Sequence, residues 1–351
     1  MVLFLFYNWF CYLCRMIFKG QATVVKHTGS HYLLSCLPRW DMFPAVLRGK
    51  IRLKGSTATN PVAVGDVVRF EADVPEGTAE QELTAYVTPE NAAVITSVLP
   101  RRNYIIRRST NLSRQSHIIA ANVDYAVLVV TLDFPQVKLP FLDRLLVTCE
   151  VYNVPPVIVL NKCDLYGPEH EDMRAAFHEI YEGAGYTVLE VSAYTGEGVR
   201  RLRDMISGRI SLFSGVSGVG KSSLIKALDP SLNPRVGEIS DVHEQGKHTT
   251  TFYEMYRVGP AGDSGNDGEA PGGFIVDTPG LRGFGLVDLK KEEIALYFPE
   301  MLKASENCRF TPCTHTHEPG CAVKEAVEDG LISYDRYSSY LGMLDEEGKY
   351  R

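Results

Sequence analysis

The chain has 351 residues, of which 45% are hydrophobic, 10% aromatic and 23% charged, with a net charge of −7. These ordinary fractions exclude a disordered or fibrous chain, and the length calls for two or three domains with cores of their own. The acidic balance argues against general polyanion binding but hides an asymmetry: residues 16–114 carry a net +5 and residues 115–351 a net −13, so a nucleic-acid contact is expected first in the N-terminal part.

Residues 1–15 are almost wholly apolar, with no basic region before them and no small-residue cleavage site after. They read as an apolar N-terminal extension upstream of a natural start at Met16, the alternative being a membrane anchor. Short alternating runs follow at residues 22–25, 31–35, 50–53, 67–70 and 93–96, separated by turn residues. Five such strands predict a small closed OB-type barrel over residues 16–109, a fold whose exposed face commonly meets RNA. Lys26, Arg48, Lys50, Arg52 and Lys54 supply charge of the right sign, the other reading being a solvated basic face that contacts protein. Residues 71–82, acidic with Gly and Pro, are expected to form a loop, and the basic stretch 101–108 to be either a phosphate contact or a linker stiffened by salt bridges.

From Val123 the pattern changes to buried-type strands at 124–131, 155–160, 187–191, 210–214 and 273–277, alternating with helical runs at 142–151, 171–182 and 223–228. This rhythm predicts a doubly wound α/β domain over residues 110–288, with ligands at the C-terminal ends of its strands. Gly215, Val216, Ser217, Gly218, Val219, Gly220, Lys221, Ser222 and Ser223 match G-x-x-x-x-G-K-[ST] at a strand-to-helix turn, the context of a phosphate-binding loop. There the backbone N–H groups face an anion, the Lys221 ammonium reaches the outer phosphates, and the Ser222 hydroxyl suits Mg²⁺.

Asn161, Lys162, Cys163 and Asp164 form N-K-x-D at the end of another strand. A carboxylate only accepts hydrogen bonds, so Asp164 pairs with the N1–H and N2–H₂ donors of guanine and finds no such pair on adenine. The Lys162 stem lies along the base, Asn161 ties this loop to the phosphate loop, and the backbone of Ser192 and Ala193 is expected to donate to guanine O6; a helix N-cap is the alternative for the tetrad. Residues 277–280 give D-x-x-G, with Asp277 holding Mg²⁺ through water and the Gly280 N–H sensing the terminal phosphate. Thr250, or Thr249, is expected to fill the remaining metal position from a loop of about residues 236–251, while residues 259–273 read as a Gly- and acid-rich insertion. Leu281 stands where many GTPases place a water-orienting Gln, so slow intrinsic hydrolysis is expected, with a partner or His248 completing the site; capping or packing is the other role for His248. Base-recognition motifs precede the phosphate loop here, the reverse of the ordinary GTPase order, so the domain reads as circularly permuted.

Near the C-terminus Cys308, Cys313, His315 and Cys321 are spaced C-x₄-C-x-H-x₅-C, with His317 as an alternative to His315. Four soft ligands so close suit one closed, structural zinc site in a helical domain over residues 289–351, and metal binding in a reducing compartment fits the eight cysteines better than a disulfide framework.

Together these motifs, in this order over about residues 16–345, resemble the ribosome small-subunit-dependent GTPase family known as RsgA or YjeQ. The resemblance implies a monomeric cytoplasmic GTP hydrolase, weak alone and stimulated by the small (30S) subunit, that binds rRNA and acts in late maturation of that subunit. It carries Asn161, Lys162 and Asp164 over to guanine, Gly215 through Ser223 to the phosphates, and the four C-terminal ligands to zinc. The alternatives are a GTP-gated RNA-binding module whose hydrolysis is incidental and an ATP-using P-loop enzyme.

Overall fold

The computed structural model describes residues 15–29, 31–49, 61–108, 116–232, 254–259, 272–277 and 289–346. The barrel strands are β1 (Arg15–Thr28), β2 (His31–Ser35), β3 (Met42–Leu47), β4 (Val67–Pro75) and, after the short helix α1 (Leu83–Tyr86), β5 (Ala93–Val98). Their pairing runs β1-β2-β3-β5-β4 and closes through a nine-residue β1–β4 ladder, with only β3–β5 parallel. This is an OB-type barrel. β4 shows how its wall forms: Val68, Phe70, Ala72 and Val74 are buried while Arg69 and Asp73 are exposed, the period-two pattern of a strand with one face on a core. A strand not expected from the sequence runs over Met42–Leu47, masked by Pro44 within it, since proline donates nothing to a ladder; the expected 50–53 lies outside the described residues. The acidic stretch expected as a loop from residue 71 begins as strand, to Pro75.

A hairpin of β6 (Tyr104–Arg108) and β7 (Ser116–Ala121) follows, so the boundary expected at residue 109 falls between two paired strands. Arg101 donates to both carboxylate oxygens of the buried Asp66, at 2.6 and 2.7 Å, and Arg102 to Asp124 at 2.8 Å. These two arginines therefore stiffen the junction.

Among the described residues the second unit is a six-stranded sheet in the order β10 (Thr187–Glu190), β9 (Pro156–Leu160), β8 (Tyr125–Val130), β11 (Ile210–Ser214), β13 (Phe274–Asp277), β12 (Glu254–Arg257), parallel except for β12. β8 and β9 are buried on both faces, as a parallel sheet under helices requires. Its helices are α2 (Leu139–Val151), α3 (Glu171–Gly183), α4 (Val199–Ile206) and α5 (Lys221–Leu228). On α2, Leu142, Leu145, Leu146 and Cys149 face the sheet; burying each leucine contributes about 2 kcal/mol. Asp143 and Val147, four residues apart, face the other way, into the C-terminal unit.

That unit comprises α6 (Lys291–Ile294), α7 (Pro299–Ser305), α8 (Ala322–Glu328) and α9 (Tyr334–Glu346). Phe298, Met301, Val323 and Tyr340 make its core, with Val147 of α2. Inside the contact Arg336 of α9 is wholly buried, donating to Asp143 at 2.8 Å and to both oxygens of Glu300 at 2.8 and 3.1 Å, its guanidinium 4.6 Å from the Phe298 ring centre. β1 meets the parallel sheet at its β12 edge, where Lys26 pairs with Glu254 in register and by a 2.8 Å ion pair. No helix among the described residues is long and apolar enough to cross a membrane.

Candidate nucleotide site and candidate metal centre

Because β8, β9, β10, β11 and β13 run parallel, their C-terminal ends open on one edge of the sheet, and each motif follows one of these strands. Gly215 leaves β11 at φ +153° with no room for a side chain, since a Cβ would lie 2.3 Å from the Val129 carbonyl. Gly220, at φ +91°, precedes α5, and a Cβ there would lie 2.4 Å from Asn161 Nδ2. The loop thus wraps tightly, with Val219 buried inside and Ser217 exposed. The Lys221 ammonium donates to the Gly215 carbonyl at 2.7 Å.

The N-K-x-D loop sits against this loop although 56 to 58 residues separate them: Asn161 Nδ2 donates to the Val219 carbonyl at 2.8 Å and Lys162 Nζ to the Gly218 carbonyl at 2.8 Å. Lys162 also donates to the carbonyl of Phe134, from the loop after β8. Asp164 is exposed, and its Oδ1 accepts from the Ser192 hydroxyl at 2.5 Å. The Ala193 N–H, expected at guanine O6, donates to Asn161 Oδ1 at 3.2 Å. Burial, with Glu197 beside it, pushes the Cys163 thiol up to about 11, so it stays protonated and inert.

Asp277 ends β13 on the same edge, one strand over from β11. His248, Thr249, Thr250, Gly280, Leu281 and the expected mobile loop and insertion, apart from their flanks, lie outside the described residues. Of the charges expected on the barrel face, Lys26 is taken by Glu254 and Arg48 pairs with Glu71, while Lys50, Arg52 and Lys54 lie outside the described residues.

Sequence reasoning missed Tyr166, whose hydroxyl donates to the Asn161 carbonyl at 2.7 Å and accepts from the Leu132 N–H at 3.0 Å. Its only sequence signal is an aromatic residue two positions beyond N-K-x-D.

In the C-terminal unit the ligand atoms of Cys308, Cys313, His315 and Cys321 all lie within 4.8 Å of one another. His315 Nδ1 is 3.7 Å from Cys308 Sγ and 3.3 Å from Cys321 Sγ, and the two sulfurs are 4.0 Å apart. Tetrahedral zinc with Zn–S and Zn–N bonds of ordinary length places neighbouring ligand atoms about 3.5 to 3.8 Å apart, so the donor set fits. The Tyr337 hydroxyl donates to the His315 carbonyl at 2.6 Å and the Tyr340 hydroxyl to the Thr314 carbonyl at 2.7 Å, so α9 fixes the ligand loop. His317 is exposed and bonded to the Thr316 hydroxyl, which decides between the two histidines in favour of His315. Burial holds the His315 imidazole below its ordinary value and pushes the Cys313 thiol up to about 12, so the histidine is neutral and Cys313 needs a cation to ionise.

A family model described as RsgA GTPase matches residues 98–287. The chain belongs to the RsgA GTPase family. It is 46% identical to the small ribosomal subunit biogenesis GTPase RsgA of Bacteroides fragilis over 94% of this chain and 99% of that protein. The crystal structure of YjeQ from Thermotoga maritima superposes with a TM-score of 0.72 at 31% identity, covering 95% of this chain and all of that one. YloQ, a circularly permuted GTPase, superposes at 0.66 and 24% identity over 95% of this chain and 96% of its own, a likeness of fold. The protein is thus a GTP hydrolase with a permuted domain, an OB-type barrel before it and a helical unit with a Cys₃His cluster after it.

Proposed function

We propose that this GTPase acts late in maturation of the small (30S) ribosomal subunit, as a cytoplasmic monomer that binds rRNA and is stimulated by the subunit. The observation that carries the nucleotide reading is the pair of bonds from Asn161 and Lys162 to the phosphate loop, which supports one nucleotide shared by the two segments. The shared description of the curated relatives supports the ribosomal reading.

Asp164 accepts from the N1–H and N2–H₂ of guanine, the Lys162 stem lies along the base, and the Ala193 N–H meets O6 by exchanging its bond to Asn161 Oδ1 for one to the base. The N–H groups of Gly215 through Ser223 and the Lys221 ammonium hold the phosphates. Ser222 and Thr250, with Asp277 through water, would hold Mg²⁺, which would supply charge neutralisation at the phosphates. The Gly280 N–H senses the terminal phosphate, and because Leu281 cannot orient a water, His248 or the subunit does so. Zinc held by Cys308, Cys313, His315 and Cys321 is structural, and the barrel and zinc unit grip rRNA.

GTP turnover measured with and without purified small subunits tests the proposal. Stimulation of tenfold or more is expected, and GDP but not ADP should compete for binding. No stimulation would favour a GTP-gated RNA-binding module instead.

A further inference from the structure

Lys162 holds the base by a long flexible stem, and something must keep that stem extended before a nucleotide arrives. β8 lies between β9 and β11, so the loop that follows it emerges between the base loop and the phosphate loop. In that loop Phe134 adopts φ +58°, a left-handed conformation that bulky residues avoid, and this conformation goes with a carbonyl that accepts from the Lys162 ammonium opposite Gly218 O. Two side-chain hydroxyls hold the loop there. The buried Thr131 donates to the Pro135 carbonyl at 2.5 Å, and Tyr166 bridges the Leu132 N–H and the Asn161 carbonyl. Burial pushes the Tyr166 hydroxyl up to about 12, so it remains a donor at every working pH.

We propose that Thr131 and Tyr166 are positioning residues that make the loop after β8 a third wall of the nucleotide site, fixing Lys162 between two carbonyls. This rests on the guanine reading given above. Prior ordering of the lysine lowers the entropic cost of binding, so its loss appears in affinity and not in the chemical step.

The test uses the full zinc-loaded protein and a fluorescent GDP analogue. Tyr166→Phe and Thr131→Val should each raise the dissociation constant three- to tenfold and raise KM for GTP, with kcat at saturating GTP and small subunit within twofold. Thr131→Ser, which keeps the hydroxyl, should bind as wild type. In a Lys162→Ala background Thr131→Val should have almost no further effect, because its route to the nucleotide is gone. Lys162→Ala that leaves GDP affinity unchanged would remove the guanine reading itself. If Lys162→Ala weakens binding while both hydroxyl variants stay within twofold of wild type, or if Thr131→Val keeps its full effect without Lys162, the positioning role alone is overturned.

Discussion

Replacing Arg336 by Met keeps most of the side-chain volume and removes the cation from a dry contact. Arg336 and Asp143 are each about 1% exposed and Glu300 is 7% exposed, so all three charges depend on one another rather than on water. Burial alone would lower the guanidinium, yet Asp143 and Glu300 hold it above the usual arginine range; burial raises the Asp143 carboxyl, and Arg336 is the main influence drawing it back. Removing one member of a buried pair costs about 3–5 kcal/mol, because the partner keeps its desolvation and loses its compensation. Urea unfolding of the zinc-loaded protein, followed by far-UV circular dichroism at pH 7, should show the midpoint falling by about 1 M or more. The pH dependence carries the sharper test. Without Arg336 the folded-state value of Asp143 rises further above its unfolded value, so its contribution is most favourable below the unfolded value, near about 4, and is lost as pH rises through the folded one. The deficit of Arg336→Met relative to wild type should therefore be small near pH 4 and grow toward pH 7. A deficit below about 1 kcal/mol at pH 7, or one that does not change with pH, would refute this account of the contact.

Three further outcomes follow from the site and the metal cluster. Asp164→Asn exchanges a pure acceptor for a group that also donates, so GDP binding should weaken at least a hundredfold by fluorescence titration while xanthosine diphosphate, which offers a carbonyl in place of the 2-amino group, binds better than it does to wild type. Gly220→Ala drives a methyl group to within 2.4 Å of Asn161 Nδ2 at a left-handed backbone position, and should abolish measurable nucleotide binding while leaving the barrel's hydrogen-exchange protection intact. Chelation of zinc, or Cys321→Ser, should melt the ligand loop and α9 together, seen as a selective loss of hydrogen-exchange protection at Tyr337 and Tyr340, which bond that loop.

What was legible in the sequence was local. The phosphate loop, N-K-x-D and the Cys₃His spacing each place their chemistry within a few residues of one turn, so spacing alone specifies them, and the parallel strands announce themselves by unbroken apolar runs. Interactions across distance were not legible. Arg336 and Asp143 are 193 positions apart, and each read alone is a charged residue on an amphipathic helix. Arg101 and Arg102 read either as a phosphate contact or as a linker stiffened by salt bridges, and nothing in the sequence named their partners, Asp66 and Asp124. Pro44 hid β3 by the very rule that usually serves well, and Tyr166 gave no signal because its hydroxyl meets backbone groups, which leave no trace in residue type.

The swapped motif order has a physical consequence beyond its oddity. In this chain α4 joins β11 through residues 207–209 alone, so base half and phosphate half are directly linked, and the chain enters and leaves the domain elsewhere. It enters from the hairpin into β8, whose following loop touches Lys162 and then starts α2, the helix on which the C-terminal Cys₃His unit sits. The barrel holds the other flank through β12, whose neighbour β13 ends at Asp277. Each appended unit therefore grips an element adjacent to one that leads straight into the nucleotide site, with packed side chains and ladder hydrogen bonds in place of a slack linker. A displacement of either nucleotide loop would then reach the barrel or the C-terminal unit through contacts that core packing makes stiff. Permutation leaves the pocket chemically unchanged and alters which surfaces its occupancy can move.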